Sequence, residues 1–125
     1  SISFKDIKKL KLDLPHKTST KYDRGTTLLI AGSNKYPGAA NLTIKGAIAS
    51  GTGVIKVFIP EVLVNSLFYS APEVIIADTL GQSSYGNSII SDTLKRNDLN
   101  KFDSIVIGPG IGIDVDDWEK SINEL

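Results

Sequence analysis

The chain has 125 residues, enough for one domain that buries roughly two thirds of the surface its unfolded form exposes. Its 14 lysines and arginines equal its 14 aspartates and glutamates, so charge gives no reason to expect nucleic acid, an anionic membrane surface or a polyanionic substrate as partner. It has no cysteine, which excludes disulfide staples, thiolate zinc sites and cysteine nucleophiles; a reducing compartment, the cytoplasm, is the expected location.

No apolar stretch reaches the roughly 20 residues that span a bilayer, and the polar start, SISFKDIKKLKLDLP, has no signal-peptide core. No membrane association is expected. His16, the single histidine, sits in this polar stretch as a surface residue, and Lys21, Asp23 and Arg24 read as a solvated turn. TTLLIA, from Thr26 to Ala31, is the first short, β-branched apolar run. A helix follows over Tyr36 to Ser50, with Pro37 at its first position and Gly51 capping its end. Ala40, Ile44, Ala47 and Ile48 share one face of it, and Gly46, Ala47 and Ala49 suggest close packing of helix on sheet.

VIKVFI, from Val54 to Ile59, is the second strand; the helix after it covers Glu61 to Ser70 and offers Val62, Leu63, Leu67 and Phe68 to the sheet. EVIIAD, from Glu73 to Asp78, is the third strand, and DTLGQSS leaves its end as a loop. A weaker helix is expected within YGNSIISDTLKRNDLNKF. SIVIG, from Ser104 to Gly108, is the fourth strand, and DVDDWEKSINEL a helix with Asp116 and Glu119 in capping-box positions. Trp118 and Phe68 are expected in the core. This alternation predicts an α/β fold: a mainly parallel sheet between two layers of helices, α-β-α, joined by right-handed crossovers. Four parallel strands make a small sheet, so the chain reads as the first part of a larger domain.

In such a sheet ligands bind at the carboxyl ends of the strands. Two loops there are rich in small residues. Tyr36, Pro37, Gly38, Ala39 and Ala40 open the first helix, and Gly108, Gly110 and Gly112 follow the fourth strand. Both would let backbone N–H groups approach a flat or anionic ligand. For the second loop a tight turn is the equal alternative. Neither matches a dinucleotide fingerprint, since Ile113 stands where a glycine would be needed, nor a P-loop. Ser33 lacks the setting of a serine nucleophile, and Asp114, Asp116 and Asp117 read as a helix cap ahead of a cation site.

Taken together, KYDRGTTLLIAGS, YPGAANLTIKGAIASGTGVIKVFIPE, APEVII and DSIVIGPGIG resemble the ADP- or ATP-dependent NAD(P)H-hydrate dehydratases, carbohydrate-kinase-related repair enzymes of ribokinase-like fold. The likeness covers most of Leu14 to Gly112. Thr52 stands where the family usually has alanine, and Thr20 where histidine often precedes the lysine. The resemblance implies that residues 1–125 are the N-terminal part of such a domain. It also implies a lyase chemistry in which a nucleotide, with Mg2+, phosphorylates the hydroxyl of the hydrated nicotinamide ring and loss of phosphate restores NADH or NADPH. The eight loop residues, Tyr36 to Ala40 with Gly108, Gly110 and Gly112, would then line the pocket for NAD(P)H hydrate, and the complete protein would be a homo-oligomer, a tetramer. The family's catalytic aspartate stands in an Asn-Gly-Thr-Gly-Asp-like motif that this chain lacks, so no catalytic residue and no metal ligand is named. Two alternatives stay open: a ribokinase-like kinase for a vitamin precursor or sugar, and a non-catalytic nucleotide-binding or interaction fragment.

Overall fold

The computed structural model describes residues 25–51, 53–108, 110–112 and 115–125. His16, Thr20, Lys21, Asp23, Arg24, Thr52 and Asp114, considered above, lie outside them. The strands are β1 (Thr26–Ile30), β2 (Val54–Pro60), β3 (Ile75–Gln82), β4 (Ser88–Ile89) and β5 (Ser104–Ile107). The helices are α1 (Pro37–Ser50), α2 (Val64–Ser70), α3 (Ser91–Lys95) and α4 (Val115–Glu124), with 3-10 turns at Glu61–Leu63 and Leu99–Lys101.

The strands form one five-stranded sheet in the order β4-β3-β2-β1-β5. β1 is parallel to β2 on one side and to β5 on the other, β2 is parallel to β3, and β4 alone is antiparallel. The pleat sends alternate side chains to opposite faces. Leu29, Ala31, Val57 and Ile59 pack beneath α1 and α2 with Ala40, Ile44 and Leu67. Leu28, Ile30, Phe58 and Ile107 pack on the other face with Leu94 of α3 and Trp118 of α4. The result is the expected α-β-α sandwich. Leu28 and Ile30 are fully buried, each stabilising the fold by about 2 kcal/mol.

α1 forms where Pro37 fixes the first helical turn and Gly51, left-handed at φ 67°, caps the far end through its N–H to the Ile48 carbonyl. Ala40 and Ile44 are its buried residues, and Ala47 and Ile48 are half-buried against the same core. Close packing does not explain Gly46 and Ala49: Ala49 is exposed, and a Cβ at Gly46 would meet nothing within 4 Å.

Several expected elements change. The segment after β2 starts as a 3-10 turn, which winds each residue further round than an α-helix does. Leu63 and Leu67 therefore face the core, while Val62 and Phe68 remain 65% and 69% exposed; Phe68 is not a core residue and stacks edge-on with Tyr69 outside. β3 runs on to Gln82 instead of ending at Asp78. A bulge lets it do so: Val57 pairs with Ile76 and Phe58 with Asp78, leaving Ala77 extra. In place of one helix, residues 85–102 make β4, the short α3 and a 3-10 turn.

Candidate functional site

β1 has its two neighbours on opposite sides, one reached through α1 and the other only after β2 and β3. The connections from β1 and β5 therefore leave a crevice at their carboxyl ends, the place where open parallel sheets bind ligands. Residues 31–36 form one wall, and Gly108 with residues 110–112 the other.

On the first wall Ser33 is fully buried, and its Oγ accepts a hydrogen bond from the Tyr36 N–H at 3.0 Å. That bond turns the chain into α1. Tyr36 is the N-cap residue without a capping side chain, and no acidic residue stands in the first turn, so no carboxylate there competes with an anion for the helix start. Pro37 and Gly38 are exposed, Ala39 half-buried. Tyr36 is 49% exposed, with the Lys35 ammonium 5.6 Å from its ring centre.

The second wall touches the first. Gly110 has φ 84°, and a Cβ there would run into the Ala39 methyl and approach the Tyr36 carbonyl to 3.2 Å. The two small-residue loops are thus one surface, in which alanine faces glycine because nothing larger fits. Ala40 and Gly108 lie beneath that surface. Ala40 is 1% exposed and seats α1 on the core; it offers a ligand almost no surface. Gly108 is buried against Ala31 and Thr43, and its N–H donates to the Ile30 carbonyl at 2.7 Å. Gly112, at φ 79°, faces the Asn87 side chain.

That last contact brings in a segment sequence reasoning missed, the tip of the β3–β4 hairpin. The Lys35 N–H donates to the Gly86 carbonyl at 3.0 Å, and the Asn34 N–H to Gln82 Oε1 at 2.8 Å. Ser88 Oγ donates to the Gly32 carbonyl at 2.6 Å. No local pattern marks these residues, and their partners lie 48 and 56 positions away in the last two cases.

Two of the acidic side chains, Asp78 and Asp117, are committed elsewhere. Asp78 accepts two bonds from Arg96 at 2.8 Å, one from the Asn97 amide and one from the Thr79 N–H. The guanidinium above all holds this carboxyl well below the usual carboxylate range, against an opposing push from burial. Asp117 is buried and accepts from the Ile90 and Ser91 N–H groups and the Ser91 hydroxyl. It caps α3 from outside instead of its own helix, and Asp116 stands inside the first turn of α4, away from the expected capping-box position. Among the described residues no group of three or more histidines or carboxylates could hold a metal ion.

A solved structure of a ribokinase-like superfamily protein from Enterococcus faecalis superposes on 99% of this chain with a TM-score of 0.66, at 22% identity and over 41% of its own length. Its likeness is one of fold. A bifunctional NAD(P)H-hydrate repair enzyme of Gloeobacter violaceus is 39% identical over 76% of this chain. An ADP-dependent (S)-NAD(P)H-hydrate dehydratase of Staphylococcus aureus is 30% identical over 90% of it. The chain spans 18% of the first relative's length and 37% of the second's. The sequence profile of the NAD(P)H-hydrate dehydratases matches residues 27–124, which takes in both walls of the crevice, and by that match the chain belongs to the NAD(P)H-hydrate dehydratase family.

Proposed function

We propose that this chain forms the substrate side of a nucleotide-dependent NAD(P)H-hydrate dehydratase, a lyase that returns the hydrated dinucleotide to NADH or NADPH. The observation that carries it is the meeting of the two small-residue loops, Gly110 against Ala39 and Tyr36, at the switch point of the sheet. Substrate would lie across Tyr36, Pro37, Gly38 and Ala39 and along Gly110 and Gly112, with Ala40 and Gly108 holding the floor beneath. The absence of side chains admits a flat ring to the backbone and excludes water when it is seated. At the start of α1 Pro37 has no N–H and the Ala39 N–H donates to the Tyr36 carbonyl, so the Gly38 N–H would be the one to face phosphate charge. The names of the relatives, among them an ADP-dependent enzyme, support nucleotide dependence.

When bound, the nucleotide supplies the phosphoryl group that turns the ring hydroxyl into a leaving group. The described residues do not fit a magnesium cage, so no step through Mg2+ is assigned to them. Asp78 and Asp117 are held by structural partners, so no catalytic residue is assigned either. ADP or ATP as the nucleotide, a homo-oligomeric state and a cytoplasmic location belong to the same proposal; among the described residues no helix is long and apolar enough to cross a membrane.

The test incubates the protein carrying this chain, at its natural length, with NADH hydrate, Mg2+ and either ADP or ATP, and follows recovery of the reduced-nicotinamide absorbance. Recovery is expected, and a polypeptide of these 125 residues by itself is expected to give none. Failure of both nucleotides at natural length, or accumulation of a stable phosphorylated product, overturns the proposal.

A further inference from the structure

The two crevice loops are tied together by residues outside both of them. β4 is two residues long and pairs with β3 only at Gly81↔Ile89 and Gln82↔Ser88, yet Ser88 reaches both crevice loops. Its Oγ donates to the Gly32 carbonyl, in the connection after β1, at 2.6 Å. Its N–H donates to the Ile111 carbonyl, in the connection after β5, at 2.6 Å. Gln82 completes the set: its Nε2 donates to Ser88 Oγ and to the Gly81 carbonyl at 2.9 Å each, while its Oε1 accepts the Asn34 N–H at 2.8 Å.

We infer that Ser88 and Gln82 are positioning residues that fix the separation of the two crevice loops and thereby the affinity for substrate. This rests on the reading of the crevice as the hydrate pocket. Donation runs one way, from the Gln82 amide to the Ser88 hydroxyl to the Gly32 carbonyl, so each bond polarises the next. Ser88 is 3% exposed, and water cannot readily replace what its hydroxyl does. The sheet does not depend on these bonds, since β1 is paired along both edges without them. What they add is registration of one loop against the other, and a misplacement of about 1 Å in a binding site can cost on the order of a hundredfold.

The experiment uses the protein carrying this chain at natural length, with Ser88→Ala, Gln82→Met and, as a control of stability alone, Val74→Ala, buried between α2 and β3. Three quantities are read: Tm, KM and kcat for NADH hydrate, and hydrogen exchange at the Asn34 and Lys35 amides. Both crevice variants are expected to raise KM about tenfold with kcat changed far less, and to speed Asn34 exchange by about the same factor. Val74→Ala should lower Tm without moving KM or the exchange. Unchanged KM in Ser88→Ala and Gln82→Met, or a KM that follows Tm in all three variants, overturns the inference. If the unaltered protein shows no turnover, the reading of the pocket has failed; Asn34 exchange then decides, and no acceleration in Gln82→Met overturns the brace itself.

Discussion

Gly110 is constrained twice, by a backbone angle of φ 84° and by the Ala39 methyl where a Cβ would go. Each constraint alone strains a substitution, the angle because L side chains rarely adopt it and the contact because the alanine methyl has no flexible end to move; together they leave no side chain a place. Gly110→Val is expected to cost about 2 kcal/mol or more, seen as a fall in Tm of roughly 8 °C, with loss of dinucleotide binding at temperatures where the variant stays folded. A wild-type Tm and affinity would show the loop to be a mere connector. The Asp78 carboxyl, held low by Arg96, gives stability of a definite pH dependence. Because its folded pKa lies below the ordinary 3.8, the contribution is present above that value and is lost as pH falls through and below it. Arg96 is 52% exposed, so water screens the pair and the contribution is about 1 kcal/mol at most. Asp78→Asn should therefore be the less stable protein near neutrality, and the difference should shrink in urea titrations taken from pH 5 down to pH 2. Asp78 was visible in the sequence as a carboxylate near a strand end. Its partners, 18 and 19 positions on, were not, because an ion pair between elements has no signature in either one.

Helices α3 and α4 depend on one residue that belongs to neither core. With Asp117 changed to alanine, the Ile90 and Ser91 N–H groups lose their acceptor at a buried helix start, an expected loss of about 2 kcal/mol measurable as a lower midpoint in urea. The longer elements could be read from spacing: α1 begins at Pro37 and ends before Gly51 as its punctuation suggests, and β1, β2 and β5 fall within a residue of their apolar runs. The short ones could not. α3 spans Ser91–Lys95 and β4 Ser88–Ile89, too few residues for a period of 3.6 or 2 to declare itself. Phe68 was misplaced for a related reason, since the 3-10 turn at Glu61–Leu63 shifts the phase of the helix that follows it.

At the scale of the molecule, the alternation of strand and helix was enough for the layered parallel sheet, and the two small-residue loops that the structure brings together stood out by composition. The hairpin that braces the crevice was illegible, because serine, glutamine and asparagine in a polar stretch look the same whether they face solvent or hold two loops together. The same topology sets an order of assembly. β1 finds its first partner, β2, across a single helix, while the bond from the Thr26 N–H to Asp103 that introduces β5 closes over 77 residues. Loop closure on that scale comes late and is slow. On a ribosome, the β1-α1-β2 unit can condense while β5 is still unsynthesised, leaving one side of β1 bare in the meantime. Val106→Ala in β5 is accordingly expected to quicken unfolding far more than it slows refolding in a stopped-flow chevron; equal effects on the two limbs would place β5 in the nucleus instead. The proposed crevice, which needs that last strand for one of its walls, is thus a late part of this chain to come into existence, and on the proposed function an emerging protein would be blind to its substrate until β5 and the loop after it are out.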